Sequence, residues 1–159
     1  MLIKGVIEED FLNYKYPSQK IEFPYFTFKC DKEYGQKICQ NSSLVNSPNI
    51  KVNMDYLVTS YLHNPITEAI VFQGLEPFDS WNDMLSLIDK YRQWTNDDIV
   101  IYTGYTKEEL EQNGHLTKLK NYDNIILKMG RYIPNQPSRY DSILGVTLAS
   151  DNQYAERIS

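Results

Sequence analysis

Ala69-Ile70-Val71-Phe72-Gln73-Gly74-Leu75-Glu76-Pro77 is a short apolar run that breaks into a turn carrying glycine and proline. A run of this length, bounded by turn residues, reads as a strand buried on both faces, as in a parallel sheet covered on each side. Ile99-Val100-Ile101-Tyr102 repeats the pattern and closes at Thr103-Gly104-Tyr105. Ile125-Ile126-Leu127 repeats it again and ends at Gly130. Between the runs the period becomes helical. Asn53 is placed to cap a helix in which Met54, Leu57, Val58 and Tyr61 recur up to Pro65. Asp79 or Ser80 starts a second helix with Trp81, Met84, Leu85, Leu87, Ile88 and Tyr91 as its apolar stripe. Thr106 with Glu109 has the form of a capping box and starts a third. Alternating strands and helices predict an α/β fold with a largely parallel sheet.

Upstream of this series, residues 2–6 suit a short opening strand and residues 9–19 an irregular segment turning at Pro17. Residues 21–26 read as a strand. Residues 27–48 then form a long loop holding both cysteines of the chain, Cys30 and Cys39. A loop of about 20 residues in a compact domain is usually either functional or misassigned.

The 159 residues suit one domain, 1–159, with enough chain to bury a core without staples. A net charge of −5 argues against a nucleic-acid groove, which needs clustered Lys and Arg. No apolar run approaches the length of a membrane span, and the opening segment turns acidic at Glu8, Glu9 and Asp10, unlike a signal peptide. Two cysteines without an export signal suit a reducing cytoplasm. Thirteen tyrosines are many for this length, and their amphipathic rings suit half-buried surfaces.

Each parallel-strand run ends in a glycine-bearing loop, at Gly74, Gly104 and Gly130, and ligands bind at the carboxyl ends of such strands. Cys30 and Cys39 can bind a metal, form a redox pair or be inert, and spacing alone leaves these open. Glu76, fixed between Gly74 and Pro77, can accept from a ligand ammonium, or simply favour the dipole of the next helix. Gly74 would let a ligand approach the backbone. Thr103 and Gly104 can offer a hydroxyl and an amide to a nucleoside, or form an ordinary tight turn. Arg131, Tyr132 and Arg139 read more readily as a solvated basic patch than as a carboxylate site. No nucleophile elbow or G-x-x-x-x-G-K phosphate loop is present.

Taken in order, these segments resemble the radical S-adenosylmethionine superfamily, and within it the activating proteins of anaerobic ribonucleoside-triphosphate reductase. Asp10-Phe11-Leu12-Asn13-Tyr14 resembles the family's opening segment. Cys30 and Cys39-Gln40-Asn41 match the second and third positions of its Cys-x3-Cys-x2-Cys loop, with an expanded gap. Phe26 stands where the first cysteine would be, and Leu75 replaces the second glycine of a Gly-Gly-Glu-Pro motif. Thr103-Gly104-Tyr105, Gly130-Arg131-Tyr132 and Ser150-Asp151-Asn152-Gln153 are similar to later family segments.

The resemblance implies an incomplete β/α barrel that holds a 4Fe-4S cluster and S-adenosylmethionine and makes a glycyl radical on the reductase's large subunit. It implies Cys30 and Cys39 as metal ligands. Gly74, Glu76, Pro77, Ile38, Asn41, Thr103 and Gly104 are implied as cofactor contacts, with Glu76 on the methionine ammonium. With Phe26 in a ligand position, the expectation is impaired chemistry, or a binding or regulatory protein without catalysis.

Overall fold

The structure, a computed structural model, describes residues 1–25 and 42–159. Its centre is a six-stranded sheet in the order β10-β7-β6-β5-β3-β2. The strands are β2 (Gly5–Asp10), β3 (Ser18–Phe23), β5 (Ala69–Gly74), β6 (Asp98–Tyr102), β7 (Ile125–Met129) and β10 (Tyr154–Arg157). β3, β5, β6 and β7 run parallel, flanked by β2 and β10, which are antiparallel. Two small pairs complete the strands. β1 (Leu2–Ile3) pairs with β4 (Ile50–Lys51), and β8 (Arg139–Asp141) pairs with β9 (Val146–Leu148). The fold is therefore α/β with a mostly parallel sheet, as expected.

The helices are α1 (Met54–His63), α2 (Trp81–Arg92), α3 (Lys107–Gln112) and α4 (His115–Leu119). All four pack on one face of the sheet. Leu57, Met84, Leu87, Ile88, Leu110 and Leu119 meet Ile70, Phe72, Ile99, Ile101, Ile125 and Leu127 there, each essentially removed from solvent. The alternate residues Ala69, Val71, Val100 and Ile126 point to the other face. No helix covers that second face among the described residues. Tyr14, Leu144 and Leu148, from the β2–β3 connection and the β8–β9 hairpin, close it.

Asn53 caps α1 by accepting from the Asp55 amide at 2.8 Å, and the Thr106–Glu109 capping box is made in both directions. Two boundaries differ from expectation. The strand predicted over 21–26 runs from Ser18 to Phe23, and the stretch predicted irregular over 9–19 contributes the last residues of β2 and the first of β3. Propensity misplaces it because Ser18 and Gln19 are polar yet wholly buried. Ser18 donates to the Tyr16 carbonyl, and Gln19 bonds Tyr91 and the Leu57 carbonyl. Strands β8–β10 follow a segment in which no strand was expected. They are short and mostly polar, so they lack the apolar signal of the centre. No described helix is long and apolar enough to cross a membrane.

Candidate functional site

The carboxyl ends of β5, β6 and β7 line one side of a cleft of about 390 Å³, and the β8–β9 hairpin lines the other. Glycine is needed where β5 ends. Gly74 has φ +90°, and a Cβ there would lie 2.5 Å from the Phe23 backbone nitrogen. The Cβ side of Gly74 is thus taken up by the neighbouring strand, while the residue itself still lines the cleft. The chain after β3 then runs beside the turn, with Phe23 and Tyr25 carbonyls accepting from the Leu75 amide (3.2 Å) and the Glu76 amide (2.7 Å).

Glu76 is 4% exposed. Its Oε1 accepts from the Phe78 amide at 3.1 Å and its Oε2 from the Gly104 amide at 2.9 Å. The carboxylate therefore caps the 3-10 turn Pro77–Ser80 and ties the loop after β5 to the loop after β6. Burial raises its pKa to about 7, outweighing the Gly104 and Phe78 amides and the Thr103 hydroxyl, which favour the charged form. The two amides and the Thr103 hydroxyl take three of the four acceptor positions of the carboxylate, which leaves one for an ammonium presented in the cleft. Thr103 is buried, and its hydroxyl accepts from the Tyr105 amide at 3.0 Å.

Of the basic residues after β7, Arg139 is exposed as expected, with its side chain 45% accessible, whereas Arg131 is not solvated. Arg131 has a side chain only 13% exposed, bonds Glu109 at 2.8 Å and lies over the Tyr105 ring. Tyr105 in turn donates to Asp79 at 2.7 Å. Arg139 donates to the Gln153 carbonyl. The Ser150–Gln153 segment clasps the end of β7. Gln153 donates to the Gly130 carbonyl at 3.1 Å and Asn152 to the Arg131 carbonyl at 2.9 Å.

Sequence reasoning missed three cleft residues on the hairpin side of the sheet. Gln73, Tyr102 and Lys128 are register neighbours across β5, β6 and β7, since Phe72 pairs with Ile101 and Tyr102 with Lys128. The Lys128 ammonium lies 5.5 Å from the Tyr102 ring centre, and the Tyr102 hydroxyl donates to the Asn13 carbonyl at 2.7 Å. The Gln73 Oε1 is buried and, among the described residues, accepts no hydrogen bond. A signal existed: Gln73 and Lys128 interrupt apolar strands near their carboxyl ends, where polar atoms can only face a site or a partner.

Of the expected contacts, Gly74, Glu76, Thr103 and Gly104 do line one cleft. Pro77 lies beside it and shapes the turn. Phe26, Cys30, Ile38, Cys39 and Asn41 lie outside the described residues. β3 does deliver the chain to this edge, because Phe23 pairs with Gly74.

Residues 27–153 match the family model of the 4Fe-4S single cluster domain. The chain belongs to the 4Fe-4S single cluster domain family. No curated protein and no solved structure matches the chain. The matched segment opens at Thr27, one residue after Phe26, and takes in both cysteines. Membership in this family fits an iron–sulfur protein, but the donor set does not fit a four-iron cluster held by cysteines alone. The chain has two cysteines, and among the described residues no three His, Cys, Asp or Glu side chains are gathered to hold a metal.

Proposed function

We propose that this chain is an incomplete β/α barrel of the radical S-adenosylmethionine type, similar to the activating protein of anaerobic ribonucleotide reductase. In this reading its S-adenosylmethionine pocket persists, its cluster chemistry is impaired, and its partner is the reductase large subunit. The observation that carries the reading is Glu76, buried at the strand ends and joining the loops of Gly74–Pro77 and Thr103–Gly104. The resemblance assigns those two loops to the cofactor. Membership in an iron–sulfur family supports it further.

The winding supports the barrel. The parallel strands follow one another in chain order, β3-β5-β6-β7, with every described helix on one face. A doubly wound sheet would reverse its order and place helices on both faces. When bound, S-adenosylmethionine supplies the sulfonium whose reductive cleavage starts radical chemistry. The chain's own part is to hold the ammonium at Glu76 and the nucleoside beside Thr103 and Gly104. Ionised Glu76 is the ammonium acceptor, so affinity falls about tenfold for each pH unit below about 7.

A second reading, a binding or regulatory protein without catalysis, is favoured by Phe26, which cannot donate to iron. Both readings meet two experiments. Titration calorimetry with S-adenosylmethionine is expected to give binding that Glu76→Ala abolishes, and silence in the intact protein overturns the pocket. Anaerobic reconstitution with iron and sulfide, followed by EPR, is expected to give a four-iron signal for Phe26→Cys and little for the unaltered chain. A full cubane in the unaltered chain overturns the impairment. Activation of an anaerobic reductase by Phe26→Cys alone would then select the first reading over the second.

A further inference from the structure

Glu109 stands on α3 and does not line the cleft, yet its carboxylate joins the helix start to a cleft residue. Oε1 accepts from the Thr106 amide at 3.0 Å and completes the capping box, while Oε2 accepts from the Arg131 guanidinium at 2.8 Å. Arg131 lines the cleft. Its guanidinium lies 5.9 Å from the Tyr105 ring centre, and Tyr105 is itself anchored on Asp79. A long cationic side chain loses much rotamer freedom when a ligand fixes it, which weakens binding. Here α3 and the loop after β6 fix Arg131 beforehand.

The same contacts set Arg131 beside Glu76. A Cβ placed on Gly104 would lie 3.5 Å from Arg131 Cγ and 3.7 Å from Glu76 Oε2. An acid and a base therefore meet at one glycine of the cleft. The α-carbon of an amino acid presents the complementary pair, an ammonium and a carboxylate. We infer that Glu109 is a positioning residue, which orients Arg131 toward the carboxylate of the ligand whose ammonium Glu76 accepts. A guanidinium carries five N–H donors in one plane, so one carboxylate can orient it while another is bound. Lys128 is the other cation of the cleft, but its ammonium lies over the Tyr102 ring rather than at Gly104. The inference rests on the reading of the cleft as an S-adenosylmethionine pocket and adds how the amino-acid end is gripped.

The test is titration calorimetry on the full chain with S-adenosylmethionine and with its decarboxylated form, which keeps the ammonium and the sulfonium. Glu109→Gln retains an oxygen for the Thr106 amide, since glutamine also serves in a capping box, and removes the charge that orients Arg131. The unaltered chain is expected to prefer S-adenosylmethionine about tenfold or more. Glu109→Gln is expected to weaken S-adenosylmethionine about three- to tenfold and to leave the decarboxylated form unchanged. Arg131→Leu should erase the preference, so that adding Glu109→Gln to it has no further effect. Thr106→Ala, which loosens the helix start without removing the ion pair, should bind both ligands as the unaltered chain does. Equal weakening of both ligands by Glu109→Gln shows a merely structural role and overturns the inference, as does no weakening of either. A preference that survives Arg131→Leu also overturns it, and loss of that preference in Lys128→Met would give the carboxylate to Lys128. If neither ligand binds the unaltered chain, the cofactor reading itself fails and the inference falls with it.

Discussion

Two glycines of the cleft carry opposite expectations. Gly74 has its Cβ position blocked by backbone atoms of Glu22 and Phe23, at 2.8 and 2.5 Å, and a positive φ. Neither can move without breaking the β3–β5 pairing, so Gly74→Ala is expected to cost about 3 kcal/mol, a drop in Tm of roughly 6–12 °C. At Gly104 the nearest atoms are the Arg131 Cγ at 3.5 Å and Glu76 Oε2 at 3.7 Å, ordinary contacts. Gly104→Ala should melt within about 2 °C of the unaltered protein, and calorimetry that ranks the two variants alike would refute this account. Glu76 carries the pH prediction. Its pKa is raised from 4.5 to about 7 in the folded chain, so the native state holds a proton that the unfolded chain has released. Stability from this group is fully present below about pH 4.5 and is lost as pH rises through 7. The loss amounts to roughly 3 kcal/mol. Urea denaturation at pH 5 and pH 8 should show the unaltered protein losing about that much more than Glu76→Gln, and parallel pH profiles would contradict it.

At the scale of elements, α3 is only six residues long and depends on its ends. Removing the Thr106 hydroxyl by Thr106→Ala takes away an N-terminal acceptor and is expected to cost about 1 kcal/mol in denaturant unfolding. A change below about 0.3 kcal/mol would mean that Leu110, wholly buried, holds the helix unaided. The hairpin contributes more, because it is the only described cover, with Tyr14, for one face of the sheet. Leu144 is 0% exposed and packs against that face. Leu144→Ala should cost about 2–5 kcal/mol, with hydrogen exchange quickening in β9 ahead of β5 and β6. Uniform quickening across the sheet would show instead that the hairpin and the centre unfold together. Below the cleft the same hairpin side is tied down by polar pairs. Tyr14 donates to Asp98 at 2.6 Å and Arg157 bonds Asp98 at 2.9 Å, both at the amino end of β6. Tyr61 and Tyr91, likewise buried, reach Asp97 and Gln19, so several tyrosines act as core residues with one anchored polar end.

Across the whole molecule, the parallel centre was legible because β5, β6 and β7 are continuous apolar runs buried on both faces, a pattern that local sequence carries undiluted. The caps at Asn53 and Thr106 were legible for the same reason, since each is satisfied within a few residues. β3 was displaced in the reading because its first residues are polar and are paid for only by partners far along the chain. Arg131 was misread as solvated for a similar cause: Glu109 and the Tyr105 ring come to it from another element. The gathering of Gly74, Glu76, Thr103 and Gly104 at one edge followed from parallel strands ending together, which topology makes almost obligatory. The opposite wall did not follow, because the pairing of β8 with β9 and their seat on the sheet depend on contacts with Tyr14, Val100 and Ile126. By itself, then, the amino-acid sequence determined an α/β sheet with its loops at one edge and a chain with two cysteines. Only the tertiary structure decided that Glu76 is buried and shared between two loops, and that the β8–β9 hairpin forms the opposite wall. The first set rests on local periodicity and composition. The second rests on burial and hydrogen bonding between segments distant in sequence, which no local pattern encodes.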